Sequence, residues 1–136
     1  MAAVGTLFVY GTLRRGFAHP MAKTLEELGR YLGRGTFQGR LYDRGPYPVA
    51  VLSSDPSHRV YGDVYALEAE ERVLELMDEY EGVGELLETG VTFERKQTAV
   101  RLADGSRKTA WIYLHSGYTD HFVPIAGGDY LAFKNR

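Results

Sequence analysis

The chain contains no cysteine. That excludes a disulfide scaffold, a thiol nucleophile and any metal site built on thiolates, and it fits a reducing compartment. Charge of one sign is also missing: 16 Lys+Arg stand against 18 Asp+Glu, a net charge of -2. Neither nucleic acid nor an acidic membrane surface has a general electrostatic hold on such a chain. Long hydrophobic runs are absent, because Gly, Arg or Asp interrupts each apolar stretch, so no membrane span is expected. The apolar start, Met1 to Tyr10, has no basic segment ahead of it and runs into what reads as folded structure. The histidines, His19, His58, His115 and His121, form neither HExxH nor a close pair, which leaves zinc nothing to bind. There is no GxSxG elbow and no Walker A loop. Gly33-Arg34-Gly35 with Gly39 imitates a dinucleotide fingerprint, but the spacing is wrong and no helix follows.

What is there is globular: 44% hydrophobic and 25% charged residues over 136 positions. That length suits a single domain, residues 1–136, with a core large enough to need no staples. A soluble, cytoplasmic protein is expected. Thr6 to Tyr10 reads as a buried strand stopped by Gly11. After an Arg/Gly turn over 12–17, Pro20 opens a helix carrying Met21, Leu25 and Leu28, and Gly29 closes it. Tyr31, Phe37, Leu41 and Tyr42 lie among glycines that mark bulges or bends in strands. Gly45-Pro46 is a turn, Val49–Leu52 a short strand and Arg59–Leu67 another. Ala69–Tyr80 is the clearest helix, with Val73, Leu74, Leu76, Met77 and Tyr80 as its stripe and Gly82 as its C-terminal cap. Val91–Leu102 and Lys108–Leu114 form a hairpin about Asp104-Gly105. The tail from Gly117 mixes turn residues with Phe122, Ile125, Tyr130 and Phe133. No repeat, linker or low-complexity segment appears, and the order of elements predicts an α+β domain.

With thiols, histidine clusters and phosphate loops gone, carboxylates, backbone amides and tyrosines remain. On the helix ending at Tyr80, taken at ~100° per residue, Glu71, Glu75, Asp78 and Glu79 project away from the apolar side. Glu81 lies at its edge, one turn after Met77. The negative helix end, Asp78 one turn back and partial burial all disfavour its ionisation. A carboxyl so tuned exchanges a proton near neutrality, as a general acid/base must; the alternative is a helix-end Glu swinging into water. Tyr10-Gly11-Thr12-Leu13 leaves a strand for a turn, where Gly11 permits unusual backbone angles and close approach. Successive free N–H groups there cradle an anion such as a carboxylate, with Arg14 and Arg15 adding charge. The alternative is an ordinary strand-ending glycine with solvent-facing arginines. Tyr10 reads equally as a pocket residue and as the end of a core strand. Tyr113 and Tyr130 are candidate pocket hydroxyls, Asp78 is a solvated residue or an Arg partner, Asp129 bonds backbone amides in a turn, and His115 has no evident partner.

These two features meet in a family resemblance. Phe8-Val9-Tyr10-Gly11-Thr12-Leu13-Arg14 resembles the opening YGTLR motif of the γ-glutamylcyclotransferase-like, or AIG2-like, family. Val60 to Leu67 resembles its G-D-V-Y strand, and Leu76-Met77-Asp78-Glu79-Tyr80-Glu81-Gly82 its helix end with the E-G pair. Phe93-Glu94-Arg95 to Val100, Trp111-Ile112-Tyr113 and Gly127-Gly128-Asp129-Tyr130 follow in family order, covering nearly the whole chain. The resemblance implies a small mixed β-barrel flanked by helices. It implies that the main chain of Tyr10, Gly11, Thr12 and Leu13 holds a γ-glutamyl group and that Glu81 is the acid/base. It further implies a small γ-glutamyl amine or dipeptide as substrate, 5-oxoproline as product, and no metal or organic cofactor. Phe93 departs from the family tyrosine at that position. A non-catalytic small-ligand-binding module on the same fold is the alternative. Leaving group and oligomeric state are not legible.

Overall fold

The computed structural model describes residues 5–11, 13–14, 20–45, 47–68, 70–83, 87 and 90–134. Thr12, Arg15, His19, Pro46, Ala69 and most of the loop after Val83 therefore lie outside the described residues. The described elements run β1 (Gly5–Val9), α1 (Pro20–Leu28), β2 (Gly29–Asp43), β3 (Pro48–Leu52), β4 (Arg59–Leu67), α2 (Glu70–Glu81), β5 (Phe93–Leu102), β6 (Arg107–His115), β7 (Val123–Pro124) and α3 (Tyr130–Lys134).

Strands β2, β4, β1, β6 and β5 neighbour one another in that order, and β5 pairs back onto β2 to close a five-stranded barrel. The barrel is mixed because β1 runs parallel to β6, with Leu7 opposite Trp111, while the other ring pairs are antiparallel. The closing seam is short, two residue pairs only: Gly35 with Leu102 and Thr36 with Arg101. β2 is long enough to serve several partners, pairing with β4 along its first half and with β3 and β7 beyond it. A bulge between Tyr31 and Gly33 bends it round the barrel.

Alternation along the strands sorts the apolar side chains into two cores. Phe8, Val60, Val64, Val100, Ala110, Ile112 and Leu114 point inward and fill the barrel with Phe37 and Leu41. Leu7, Val9, Tyr65, Leu67 and Tyr113 point outward and are covered by Leu25 of α1 and Val73, Leu74 and Met77 of α2. α2 buries Val73, Leu74 and Met77 of its expected stripe, while Leu76 and Tyr80 are exposed at the edge of it. Glu70 and Glu71 occupy the first turn, where the helix dipole favours acids. At the other end Gly82 adopts φ +67°. The Val83 N–H donates to Asp78 O at 3.1 Å and the Gly82 N–H to Glu79 O at 3.3 Å. That is a Schellman ending, and it makes Glu81 the last residue of the helix, fixed where the chain turns away.

Candidate active site

One pocket of about 380 Å³, its open mouth included, lies where β1 runs out. Its walls include Tyr10, Gly11 and Leu13 from the first turn, Tyr47 and Pro48 from the entry to β3, Glu81 from the end of α2, Phe93 from β5 and Tyr113 from β6. The structure thus brings together every predicted site residue it describes: Tyr10, Gly11, Leu13 and Glu81.

Glu81 is half-buried. Among the described residues no side chain or backbone group hydrogen-bonds to its carboxyl. Burial alone pushes its pKa up to about 7. The charge of Asp78, one turn back, does not contribute. In the structure that charge is spent elsewhere: Arg95 Nε–H donates to Asp78 Oδ1 at 2.8 Å and Tyr113 O–H to the same oxygen at 2.7 Å. Of the two readings of Asp78, solvated residue and Arg partner, the second holds, and the carboxylate is a half-buried joint between α2, β5 and β6. Arg95 also lies over the Trp111 ring at 4.5 Å, and the Trp111 indole N–H donates to Glu70 at 2.8 Å. Both ends of α2 are tied to the sheet, which sets where Glu81 points.

Tyr10 and Tyr113 form the floor. The Tyr10 hydroxyl donates to the Tyr113 carbonyl across the barrel mouth. Burial, then the Glu81 charge, raise the Tyr10 pKa well above its ordinary value. Burial and the hydrogen bond to Asp78 do the same for Tyr113, with the Asp78 and Glu81 charges adding to the rise. Both stay neutral phenols beside Glu81. Tyr130, the other candidate hydroxyl, packs in the barrel core and does not reach the pocket.

The turn after β1 is closed by the Arg14 N–H donating to Gly11 O at 3.0 Å. Among the described residues, the N–H groups of Gly11 and Leu13 have no hydrogen-bond partner. Gly11 has no left-handed φ; glycine is needed for a different reason. A Cβ there would sit 2.9 Å from the Pro48 ring, so any side chain would push the turn off β3. Arg14 does not add charge to this cradle. It is buried, its Nη1–H donating to Asp129 Oδ1 at 2.7 Å with Asp63 Oδ2 3.6 Å from its Nε. The buried side chains of Leu13, in the core against α2, and of Arg14, in its ion pairs, anchor the turn. His115, given no partner from sequence, accepts from the Thr92 N–H at 3.2 Å and meets Tyr118 O at 3.1 Å. Tyr47 and Pro48 were missed as pocket residues; they face the turn only because β3 folds back over it, and no local pattern announces that.

The model of the family described as "Gamma-glutamyl cyclotransferase, AIG2-like" matches residues 7–132. The chain belongs to this family. Two solved structures share the cyclotransferase-like fold closely: YkqA from Bacillus subtilis (TM-score 0.70, 22% identity, 98% of this chain and 44% of that one) and an AIG2-like protein from Mus musculus (TM-score 0.70, 22% identity, 89% and 83%). This chain thus spans less than half the length of the Bacillus protein. A third, allophanate hydrolase from Kluyveromyces lactis, carries the fold within a much longer chain (TM-score 0.64, 19% identity, 98% and 21%). Comparison with curated protein sequences gave no match. Among the described residues, no helix of this family member is long and apolar enough to cross a membrane.

Proposed function

We propose that the protein cyclises a small γ-glutamyl amine or dipeptide, releasing 5-oxoproline and the amine. The observation that carries this reading is the Glu81 carboxyl, half-buried, unpartnered among the described residues and raised to about 7, on the wall of the pocket that the Tyr10–Leu13 turn also lines. The substrate's α-carboxylate rests on the main chain of Gly11, Thr12 and Leu13, and Tyr10 supports it from the floor. Held at both ends, the γ-glutamyl chain folds so that its α-nitrogen meets its own γ-carbonyl carbon, which supplies the near-attack geometry. Glu81 takes the proton from the α-ammonium, and the free amine attacks to form the five-membered ring. Glu81 then gives that proton to the departing nitrogen as the γ-amide bond breaks, and the surplus proton of the ring nitrogen passes to the freed amine, which leaves as an ammonium. A pKa of about 7 suits both transfers, since neither form of the acid is scarce at neutral pH.

A binding module on the same fold has no use for a carboxyl kept out of water without a partner, which costs stability; this favours the enzyme. Phe93 packs against Tyr47 at 6.0 Å and gives the pocket an apolar wall where a hydroxyl is absent, so the leaving amine is expected to carry an apolar side. A cytoplasmic location accompanies the proposal, in keeping with the lack of cysteine. The test is incubation with a panel of γ-glutamyl amines and dipeptides, with 5-oxoproline measured directly. Product from at least one member is expected; saturable binding across the panel with no product would turn the reading to the binding module.

A further inference from the structure

Away from this pocket, the barrel's short seam leaves a second cleft. Continuing the β2–β5 register past Thr36 and Arg101 would pair Phe37 with Val100 and Gln38 with Ala99. Those pairs are not made. The strands part, and the four residues line a cleft of about 810 Å³, open mouth included. Three arginines stand round it, Arg59, Arg101 and Arg107, with Thr36, Gln38 and Pro56 and no carboxylate in the lining.

The register explains why they converge. Arg101 lies directly opposite Arg107 on β6 and opposite Thr36 on β2, while Arg59 of β4 lies opposite Gln38. All three therefore project from the outer face, Arg101 and Arg107 from the paired strands β5 and β6 and Arg59 from β4 across β2. Like charges directly opposite one another in a sheet repel. Among the described residues none of the three has an ion-pair or hydrogen-bonding partner for its guanidinium. A chain of net charge -2 thus concentrates uncompensated positive charge at one gap in its barrel wall.

The geometry points to a binding site in this cleft for a compact phosphate polyanion, of the diphosphate class. Planar guanidiniums present paired N–H groups that match phosphate oxygens two at a time, and several together need more negative charge than one carboxylate supplies. The Thr36 hydroxyl stands beside them as a neutral hydrogen-bonding group, while the Gln38 amide nitrogen already donates to Ser53 O at 2.6 Å. This site is distinct from the Glu81 pocket, and the inference does not rest on the cyclisation chemistry.

Calorimetric titration of the full chain with inorganic pyrophosphate, at physiological ionic strength, tests it. Submillimolar binding is expected. The double variant Arg101→Gln/Arg107→Gln should weaken it by about tenfold for each charge removed, while Glu81→Gln leaves it unchanged. Thermal melting gives a second readout: pyrophosphate should raise the melting temperature of the parent but not of the double variant. Without ligand, the double variant should melt higher than the parent at low salt, because the Arg101–Arg107 repulsion is gone. The proposal is overturned if pyrophosphate does not bind, if the double variant binds it equally well, or if malonate binds as tightly. It is overturned equally if a short single-stranded oligonucleotide binds where pyrophosphate does not.

Discussion

A carboxyl raised from 4.5 to about 7 by burial serves the proposed proton transfers and costs stability where it ionises, so its effects on rate and on stability have opposite signs. The folded state holds the Glu81 proton more tightly than the unfolded chain does. Its contribution is therefore complete below about pH 4.5 and is lost as pH rises through about 7, a change of about 3 kcal/mol. Glu81→Gln keeps the size of the side chain and cannot ionise. We expect turnover to fall by ~10²- to 10⁴-fold, with substrate affinity changing far less, because the proposed carboxylate anchor belongs to the turn after β1. Above pH 7 the variant should be the more stable protein, by up to about 3 kcal/mol, and the slope of stability between pH 4.5 and 7 should flatten. Melting curves across that range and a product assay on one preparation measure both. Unchanged 5-oxoproline formation would remove Glu81 from the chemistry.

The elements themselves were largely legible, and the reason is that their signals are local. Pro20 and Gly29 bracket α1, a β-branched and aromatic run specifies β1, and Gly82 ends α2 in the one conformation glycine enters freely. The resemblance supplied the barrel. What stayed hidden depends on partners distant in the chain. β7 is two residues long and exists because Tyr42 and Asp43 offer it an edge. α3 begins after Asp129, whose carboxylate accepts the Ala132 N–H at 3.2 Å, a cap readable only once a helix is known to follow. Asp78 left two readings open, solvated residue or Arg partner, because helical periodicity puts it on the polar side, and only Tyr113 and Arg95, far along the chain, decide for the second. That joint yields a prediction at this scale. Asp78→Ala leaves a half-buried guanidinium and a buried phenol without their shared acceptor, and should destabilise the protein by about 1–3 kcal/mol. Asp78→Asn, which keeps an oxygen for Tyr113, should cost less. Asp78 touches no reacting atom, so its effect on catalysis is through placement of α2. In the Ala variant kcat should fall while the pH midpoint of the rate stays with Glu81; a shifted midpoint would show that Asp78 acts on the proton directly.

Across the whole molecule, the first turn is held from the far end of the chain. Arg14 is among the largest side chains with almost no exposure, and it spans from the end of β1 to Asp63 on β4 and Asp129 before α3. Tyr31 of β2 completes the cluster, its hydroxyl donating to Asp63 at 3.0 Å. Burial pushes the Asp129 carboxyl up, yet the Ala132 N–H, the Arg14 guanidinium and the Leu131 N–H together hold it below its ordinary value. The contribution of Asp129 is thus present above its unfolded pKa and lost as the pH falls through its lowered folded one. A buried cation with two acidic partners is costly to assemble, but removing only the cation is worse, because Asp63 and Asp129 then lose the guanidinium they are packed against. Arg14→Met, which keeps the length and apolar stem, is expected to destabilise the protein by about 3–5 kcal/mol. For a chain of this size the melting temperature should drop by roughly 10–15 °C. Arg14→Lys keeps a charge but not the fork that reaches both carboxylates, and should fall between the two. Because Gly11 and Leu13 sit on the same turn, substrate affinity should weaken in parallel with stability, more in KM than in kcat, as the anion cradle loses its support while Glu81 stays in place on α2. An Arg14→Met protein with parental melting temperature and parental KM would show that the turn stands without its buried anchor.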